Sequence, residues 1–295
     1  MEKIAILVDS ACGPTPDFVN KYKIFTMGMK INLDRKVFID GADLEKARFY
    51  EMIDRVKDFS TAPPQVWDIK KIYERIKRSG YDRVVSVHVS SKMSKLYEAC
   101  DNACGLLGGV NVELIDTRNT SIGAYLVAEK IAELLHAGRT IEEINSFLPE
   151  IRRSSFLQIS LSTLKYLIKN KRVGRVQGMV GSMLKVKPIL GMDSDGYLST
   201  LSKVRGGSRV ADHLTDNAIE FVKQRPYNVK VYLTWGFDEN RRQVERVRDK
   251  FIPRLEQLGI KNYTVREDRM WPTIACNSGP GAYGFAVYGE EHPIN

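Results

Sequence analysis

The chain has 295 residues, 43% of them hydrophobic and 27% charged. That length favours two domains with a substantial core, and the composition excludes a disordered, collagen-like or disulfide-stapled chain. Lysine plus arginine number 45 against 36 acidic residues, a balance of +9, which suits an anionic partner without choosing among nucleic acid, a phosphorylated ligand, a membrane surface or an acidic protein.

The first element in the chain is the apolar run Ile4–Val8, rich in β-formers and ended by Asp9. It reads as a buried strand and is too short for a signal-peptide core. No stretch approaches the roughly 20 apolar residues that span a bilayer. No stable membrane insertion and a cytoplasmic location are therefore expected. Phe49, Met52, Ile53 and Val56 form one helical face, and Ile69, Ile72, Tyr73 and Ile76 another, with Pro64 placed to start the second helix. Strand-like Val84–Val87 and Val112–Ile115 alternate with these, the pattern of parallel βαβ units. Cys100 and Cys104 share one face of an intervening helix and read as small buried hydrophobes. A further helix is expected over Ser121–Leu135, and Thr140-Ile-Glu-Glu143 matches a capping box opening the next.

From about Phe156 the texture changes. Short strand-like pieces, Leu157–Leu161, Lys187–Leu190 and Tyr197–Leu201, crowd together, and the Asp-Ser-Asp-Gly turn ending at Gly196 makes the last two a hairpin. An alternating strand, Val229–Leu233, precedes a long helix whose buried face is Val244, Val247, Phe251, Leu255 and Leu258. The expected fold class is α/β: a parallel-sheet α/β N-terminal domain, residues 1–155, and a mixed-sheet α+β C-terminal domain, residues 156–295.

Several chemistries lack their signatures. There is no Walker-type phosphate loop, no G-x-S-x-G around Ser182, Ser208 or Ser278, and no G-x-G-x-x-G after the first strand. The histidines, His88, His136, His213 and His292, are scattered, so no metal site is expected. Asp9 at a strand end could be a nucleophile, but no second aspartate follows at Ala11, and turn capping is the simpler role. The basic run Lys169, Lys171, Arg172, Arg175, Lys185 and Lys187 has only Tyr166 as an aromatic neighbour, which argues against nucleic acid.

Hydroxyl clusters at strand ends are the positive signal. Ser60-Thr61-Ala62-Pro63 falls before one helix, and Ser90-Ser91-Lys92-Met93-Ser94 between a strand and the next helix. Ligands of open α/β sheets sit outside the carboxyl ends of strands, where helix N-termini favour anions. Thr61 and Ser94 could equally serve only as helix caps. Ser278-Gly279-Pro280-Gly281 is a glycine-rich loop that would let backbone approach a ligand closely.

Taken in order, these segments resemble the DegV family. The opening Ile4–Cys12 is similar to its first strand and Asp-Ser turn. Ser60–Pro63 resembles its Thr-Ser-Gln-Pro motif, Ser90–Tyr97 its Ser-Ser-x-Leu-Ser-Gly-Thr-Tyr motif, and Ile115–Gly123 its Ile-Asp-Ser/Thr segment. Leu164–Val173 followed by Lys185–Leu190 resembles its Leu-x-Tyr-Leu-x-x-Gly-Gly-Arg-Ile and Ile-Lys-Pro-Ile-Leu pair. The resemblance implies two α/β domains with a long-chain fatty acid such as palmitate between them, and no cofactor. It places the carboxylate on Thr61 and Ser94, with Ser60, Ser91, Asn277, Ser278 and Gly279 around it. Arg172 and Arg205 would serve near the ligand or near a separate fatty acid kinase that makes an acyl phosphate. The chain itself would have no catalytic residue; the alternative is a hydrolase or phosphatase using Asp9, Ser94 or the glycine loop. Two departures stand out: Asn170-Lys171 replaces the family's glycine pair, and Asn277 replaces a histidine. Burying about 15 methylenes is worth about 12 kcal/mol gross, at about 0.8 each. Lost ligand freedom returns several kcal/mol, so a clamp of two or three hydrogen bonds suffices.

Overall fold

Residues Ala5–Val8 are buried without alternation, as expected of a strand covered on both faces. They form β1 (Ile4–Asp9), the start of the chain in this computed structural model, which describes residues 2–109, 111–179 and 186–294. Ser182 and Lys185 lie outside the described residues. Helix α1 (Pro16–Tyr22) leads to short strands β2 (Phe25–Met27), β3 (Lys30–Leu33) and β4 (Lys36–Ile39). Then come α2 (Lys46–Met52), β5 (Phe59–Ala62), α3 (Val66–Arg78), β6 (Arg83–His88), α4 (Leu96–Cys104) and β7 (Asn111–Asp116). Helices α5 (Ser121–His136) and α6 (Ile141–Arg153) follow, the latter opened by the expected capping box at Thr140.

The second half begins with β8 (Ser155–Ser160) and α7 (Lys165–Lys169). The hairpin β9 (Lys187–Met192) and β10 (Leu198–Val204) is antiparallel, and Asp193 closes its turn by accepting from the N–H groups of Asp195 and Tyr197. Helix α8 (Val210–Gln224), β11 (Tyr227–Trp235), α9 (Arg241–Gln257), β12 (Tyr263–Arg269), α10 (Pro272–Ser278) and β13 (Tyr283–Glu290) complete the chain.

The fold is α/β. A parallel sheet has the order β2-β1-β6-β7, a mixed sheet the order β10-β9-β8-β13-β11-β12, and β4-β3-β5 form a small antiparallel sheet. The chain leaves β1 toward β2 and leaves β6 toward β7, in opposite directions, so β1 and β6 flank the switch point where such sheets accept ligands. Helix α5 is buried along nearly its whole length because it packs on β8, β11 and β13 as well as on α1 and the turn after β1. One continuous apolar cluster therefore joins residues of both larger sheets.

Three expectations need adjusting. Pro64 does not open α3; Gln65 is the N-cap and Val66 the first helical residue. Leu258 follows α9 and is 41% exposed, so the buried face ends at Leu255. Residues 59–62 form a strand, so Thr61 cannot cap a helix.

Candidate functional site

Alternation along β5 decides which hydroxyl faces inward. Ser60 is exposed and accepts from the Asn32 side chain at 3.0 Å, whereas Thr61 is only 9% exposed. The turn after β6 brings in the second hydroxyl. Ser90 anchors that turn by donating to the Gly196 carbonyl at 2.7 Å, and Ser91 donates to Asp116 at 2.7 Å. Ser94 accepts from the Leu96 N–H at 3.2 Å, which satisfies one free donor at the start of α4. The hydroxyl proton of Ser94 is not used in that bond.

Helix α10 supplies the third group. Asn277 donates to Thr61 Oγ1 at 3.0 Å and to the Thr273 carbonyl at 2.8 Å, while its Oδ1 is buried without a partner. Asn277 thus ties α10 to β5 rather than bracing the Gly279–Gly281 turn. Thr273 lines the same cavity, with its N–H donating to Asp40 at 3.1 Å and its hydroxyl turned to the same carboxylate. Buried polar groups are nearly always paired, so the unpaired Asn277 Oδ1 among the cavity-lining side chains leaves room for a donor there. Ser278 donates to the Ile274 carbonyl at 3.0 Å, which occupies its proton.

Arg172 completes the set. Its guanidinium donates to the carbonyls of Asn170 at 2.7 Å and Met93 at 3.2 Å, and among the described residues no carboxylate pairs with it. Burial lowers its pKa from the usual arginine value, a measure of how poorly this cation is solvated. The two departures before it are structural. Lys171 adopts φ 55°, the left-handed conformation a glycine takes freely, and Asn170 is buried and donates to the Cys276 carbonyl at 2.9 Å.

These residues line two neighbouring spaces. A narrow, mostly apolar cavity of about 70 Å³ is lined by Thr61, Ser94, Arg172, Thr273, Asn277 and Ser278 together with apolar residues such as Met29, Val89, Ile159 and Leu198. An open depression of about 640 Å³ shares Thr61, Met93, Ser94 and Arg172 with it, and adds Ser91, Lys92, Lys95 and Lys171. The hydroxyls and the guanidinium therefore sit where a basic mouth meets an apolar interior. The lining comes from both sides of residue 155. The cavity does not hold a long acyl chain without its walls moving apart.

Not every expected residue belongs here. Ser60 and Gly279 line neither space; Gly279 has φ 88°, and a Cβ there would lie 2.6 Å from the Tyr166 ring. Arg205 is exposed just beyond β10 and also lines neither. Sequence reasoning missed Thr273 and the apolar walls, since a cavity-lining Ile or Leu carries the same pattern as a core residue.

Asp9 is fully buried. Its carboxylate accepts from the N–H groups of Ala11 at 2.9 Å and Val89 at 3.1 Å, and lies 3.2 Å from His88 Nδ1. His88 Nε2 lies 2.7 Å from Ser86 Oγ and 3.4 Å from Cys100 Sγ. Burial opposes a charge on His88, but Cys100 and Asp9 outweigh it and raise its pKa to about 10. This cluster locks the carboxyl ends of β1 and β6 together; it does not open onto the cavity as a nucleophile would. Among the described residues there is no group of three or more metal-ligating side chains, and no helix long and apolar enough to cross a membrane.

Comparison with known proteins finds relatives along nearly the whole chain. A family model described as "Uncharacterised protein, DegV family" matches residues 3–290. A DegV domain-containing protein of Caldanaerobacter subterraneus subsp. tengcongensis is 31% identical over 229 residues, covering 76% of this chain and 81% of that protein. A DegV lipid binding protein from Thermotoga maritima is 26% identical with a TM-score of 0.81, covering 99% of this chain and 100% of that one. A second Thermotoga maritima protein, whose structure is described as revealing fatty acid binding function, is 25% identical with a TM-score of 0.79, covering 98% and 100%.

Proposed function

The chain belongs to the DegV family, and from that premise we propose that it binds one long-chain fatty acid and presents the carboxylate to a separate fatty acid kinase. Thr61 and Ser94 donate to the carboxylate, Arg172 supplies the opposing charge, and Asn277 orients Thr61 by donating to its oxygen, with Thr273 lining the cavity beside them. The acyl chain runs into the apolar cavity, between units formed by residues 1–155 and 156–295. Arg205 acts on the kinase side. The chain works in the cytoplasm, needs no cofactor and performs no chemistry of its own.

The observation that carries this reading is the meeting of the two spaces at Thr61, Ser94 and Arg172. A head group there reaches solvent through a mouth lined by Lys92, Lys95 and Lys171, where an incoming phosphate would meet positive charge. The hydrolase alternative lacks its parts: Ser94 Oγ is bonded to a backbone N–H rather than to a base, and Asp9 is enclosed.

Mass spectrometry of an organic extract of the purified protein tests the reading. A saturated or monounsaturated acid of about 16 to 18 carbons in stoichiometric amount is expected, and palmitate should raise the melting temperature of delipidated protein. Lipid-free extracts with no palmitate-induced shift would refute it. Steady turnover of an acyl or phosphate ester by the protein alone would favour the hydrolase.

A further inference from the structure

A second depression, of about 510 Å³, shares no lining residue with the cavity that holds the hydroxyls. It lies where the end of β7, the end of α6 and the end of α8 come together, and four arginines line it: Arg118, Arg152, Arg153 and Arg225. Its one acidic lining residue among the described residues, Asp193, is already paired with Arg175 at 2.8 Å and accepts from Ser199.

The four guanidiniums are unequally compensated. Arg153 pairs with Glu150 at 2.6 Å, and Arg225 reaches the same carboxylate only at 3.8 Å. Arg152 makes two bonds to the Asp116 carbonyl, at 2.9 and 2.6 Å, and Arg118 donates to the Ser194 carbonyl at 3.3 Å. A backbone carbonyl accepts a proton but does not cancel a charge. Burial lowers the pKa of Arg152 and the Arg118 cation lowers it further, with the Asp116 carboxylate offsetting part of this, so two like charges are held within reach of each other. The Nε–H of Arg225 is buried without an acceptor, and Glu150 Oε1, 3.8 Å from the Arg225 Nη2, is buried without a donor. Holding like charges together and leaving a donor unpaired both cost stability, and an anion seated among them would relieve both.

We propose that this depression is a binding site for a small phosphate-bearing ligand, separate from the fatty-acid site. Several guanidiniums converging from three elements match an oxyanion with more than two oxygens, since each fork can take a different oxygen pair. The concavity has the size of a small-molecule site rather than of a flat protein interface. The phosphate could belong to pyrophosphate or to the phosphate chain of a nucleotide; the chemistry recognised is the same.

Isothermal titration of the full-length protein with pyrophosphate and with ATP, and with sulfate as a control, tests the assignment. One saturable site for pyrophosphate, tighter than for sulfate, is expected. Arg118→Asn keeps a residue that tolerates the left-handed backbone found there (φ 51°), and Arg225→Gln removes the orphan donor. Each should weaken pyrophosphate about tenfold, the effect of one charge-assisted hydrogen bond, while palmitate-induced stabilisation stays unchanged. ATP binding more tightly than pyrophosphate would support the site and identify a nucleotide; equal affinity would support it with the phosphates alone recognised. Absence of saturable binding, or unchanged affinity in both variants, would overturn it. So would equal binding of sulfate, or a joint loss of palmitate stabilisation, which would place the anion at the fatty-acid mouth.

Discussion

The side-chain amide of Asn277 on α10 donates to the hydroxyl oxygen of Thr61 on β5 at 3.0 Å. Because that oxygen is the acceptor, the Thr61 proton is left to point at whatever enters the cavity. The bond orients the donor and joins the two halves of the chain across the site.

Thr61→Val keeps the side-chain shape and removes the proton. It should weaken palmitate binding by about 1.5 kcal/mol, the lower range for a bond to a charged acceptor. It also strands the Asn277 N–H, so the melting temperature should fall modestly. Adding Asn277→Leu should cost less affinity in the Thr61→Val background than alone, because the two groups act as one unit. Binding by calorimetry with wild type, both single variants and the double variant checks this; unchanged affinity in Thr61→Val would remove Thr61 from the head-group site.

The pair Asp9–His88 gives a stability prediction. Both side chains are fully buried at 3.2 Å. Removing one partner leaves an uncompensated buried charge, so His88→Ala should cost about 3–5 kcal/mol in denaturant melts. The folded His88 has a pKa near 10, above its ordinary value of about 6.5. The stabilisation is therefore fully present below about pH 6.5 and is lost as pH rises through about 10. The gap between wild type and His88→Ala should narrow along that range; a constant gap would contradict it.

The parallel half of the fold was legible because period and punctuation agree. β1, β6 and β7 are apolar runs bounded by turns, and the capping box at Thr140 formed as read. The small sheet β4-β3-β5 was not legible: its strands are only four residues each, and Ser60-Thr61 reads as a helix approach. That mattered, because strand alternation is what turns Thr61 inward and Ser60 out. Thr61, Ser94 and Arg172, grouped by the family resemblance, line one cavity. Arg205 and Gly279 did not join them, since a motif order says nothing about which side of a turn faces the cavity.

Asp40 touches the site from behind by accepting from the Thr273 N–H at 3.1 Å. Burial raises its pKa to about 6, with bonds from Thr273 and Ser10 and the charge of Lys46 pulling back. A carboxyl raised on folding is bound more tightly to its proton in the folded state. Its favourable balance holds below the unfolded pKa of about 3.9, declines as pH rises to about 6, and leaves a penalty of about 3 kcal/mol above that. Asp40→Asn should melt at a higher temperature than wild type at pH 7 and about the same at pH 4. Calorimetric scans across that range decide it, and a variant less stable at pH 7 would show that the carboxylate is held by contacts that outweigh its burial.

The last prediction concerns charge at the head group. Asn277 hydrogen-bonds but cannot titrate, so palmitate affinity should vary little between about pH 6 and pH 8 on its account. Asp40 complicates the lower edge, since it titrates near 6 behind Thr273. The comparison is therefore made in an Asp40→Asn background. There the parent should be flat, and adding Asn277→His should introduce tighter binding at low pH with a step near pH 6.5, as an imidazolium meets the carboxylate. Residues Thr61 and Thr273 should feel the change, because Asn277 bonds to both. With a fatty acid kinase and ATP present, acyl-phosphate formation should respond to Asn277→His more than affinity does. A parent that already shows a step near pH 6.5 would mean another group controls the carboxylate. A variant that only melts at lower temperature, with flat affinity, would reduce Asn277 to a tie between α10 and β5.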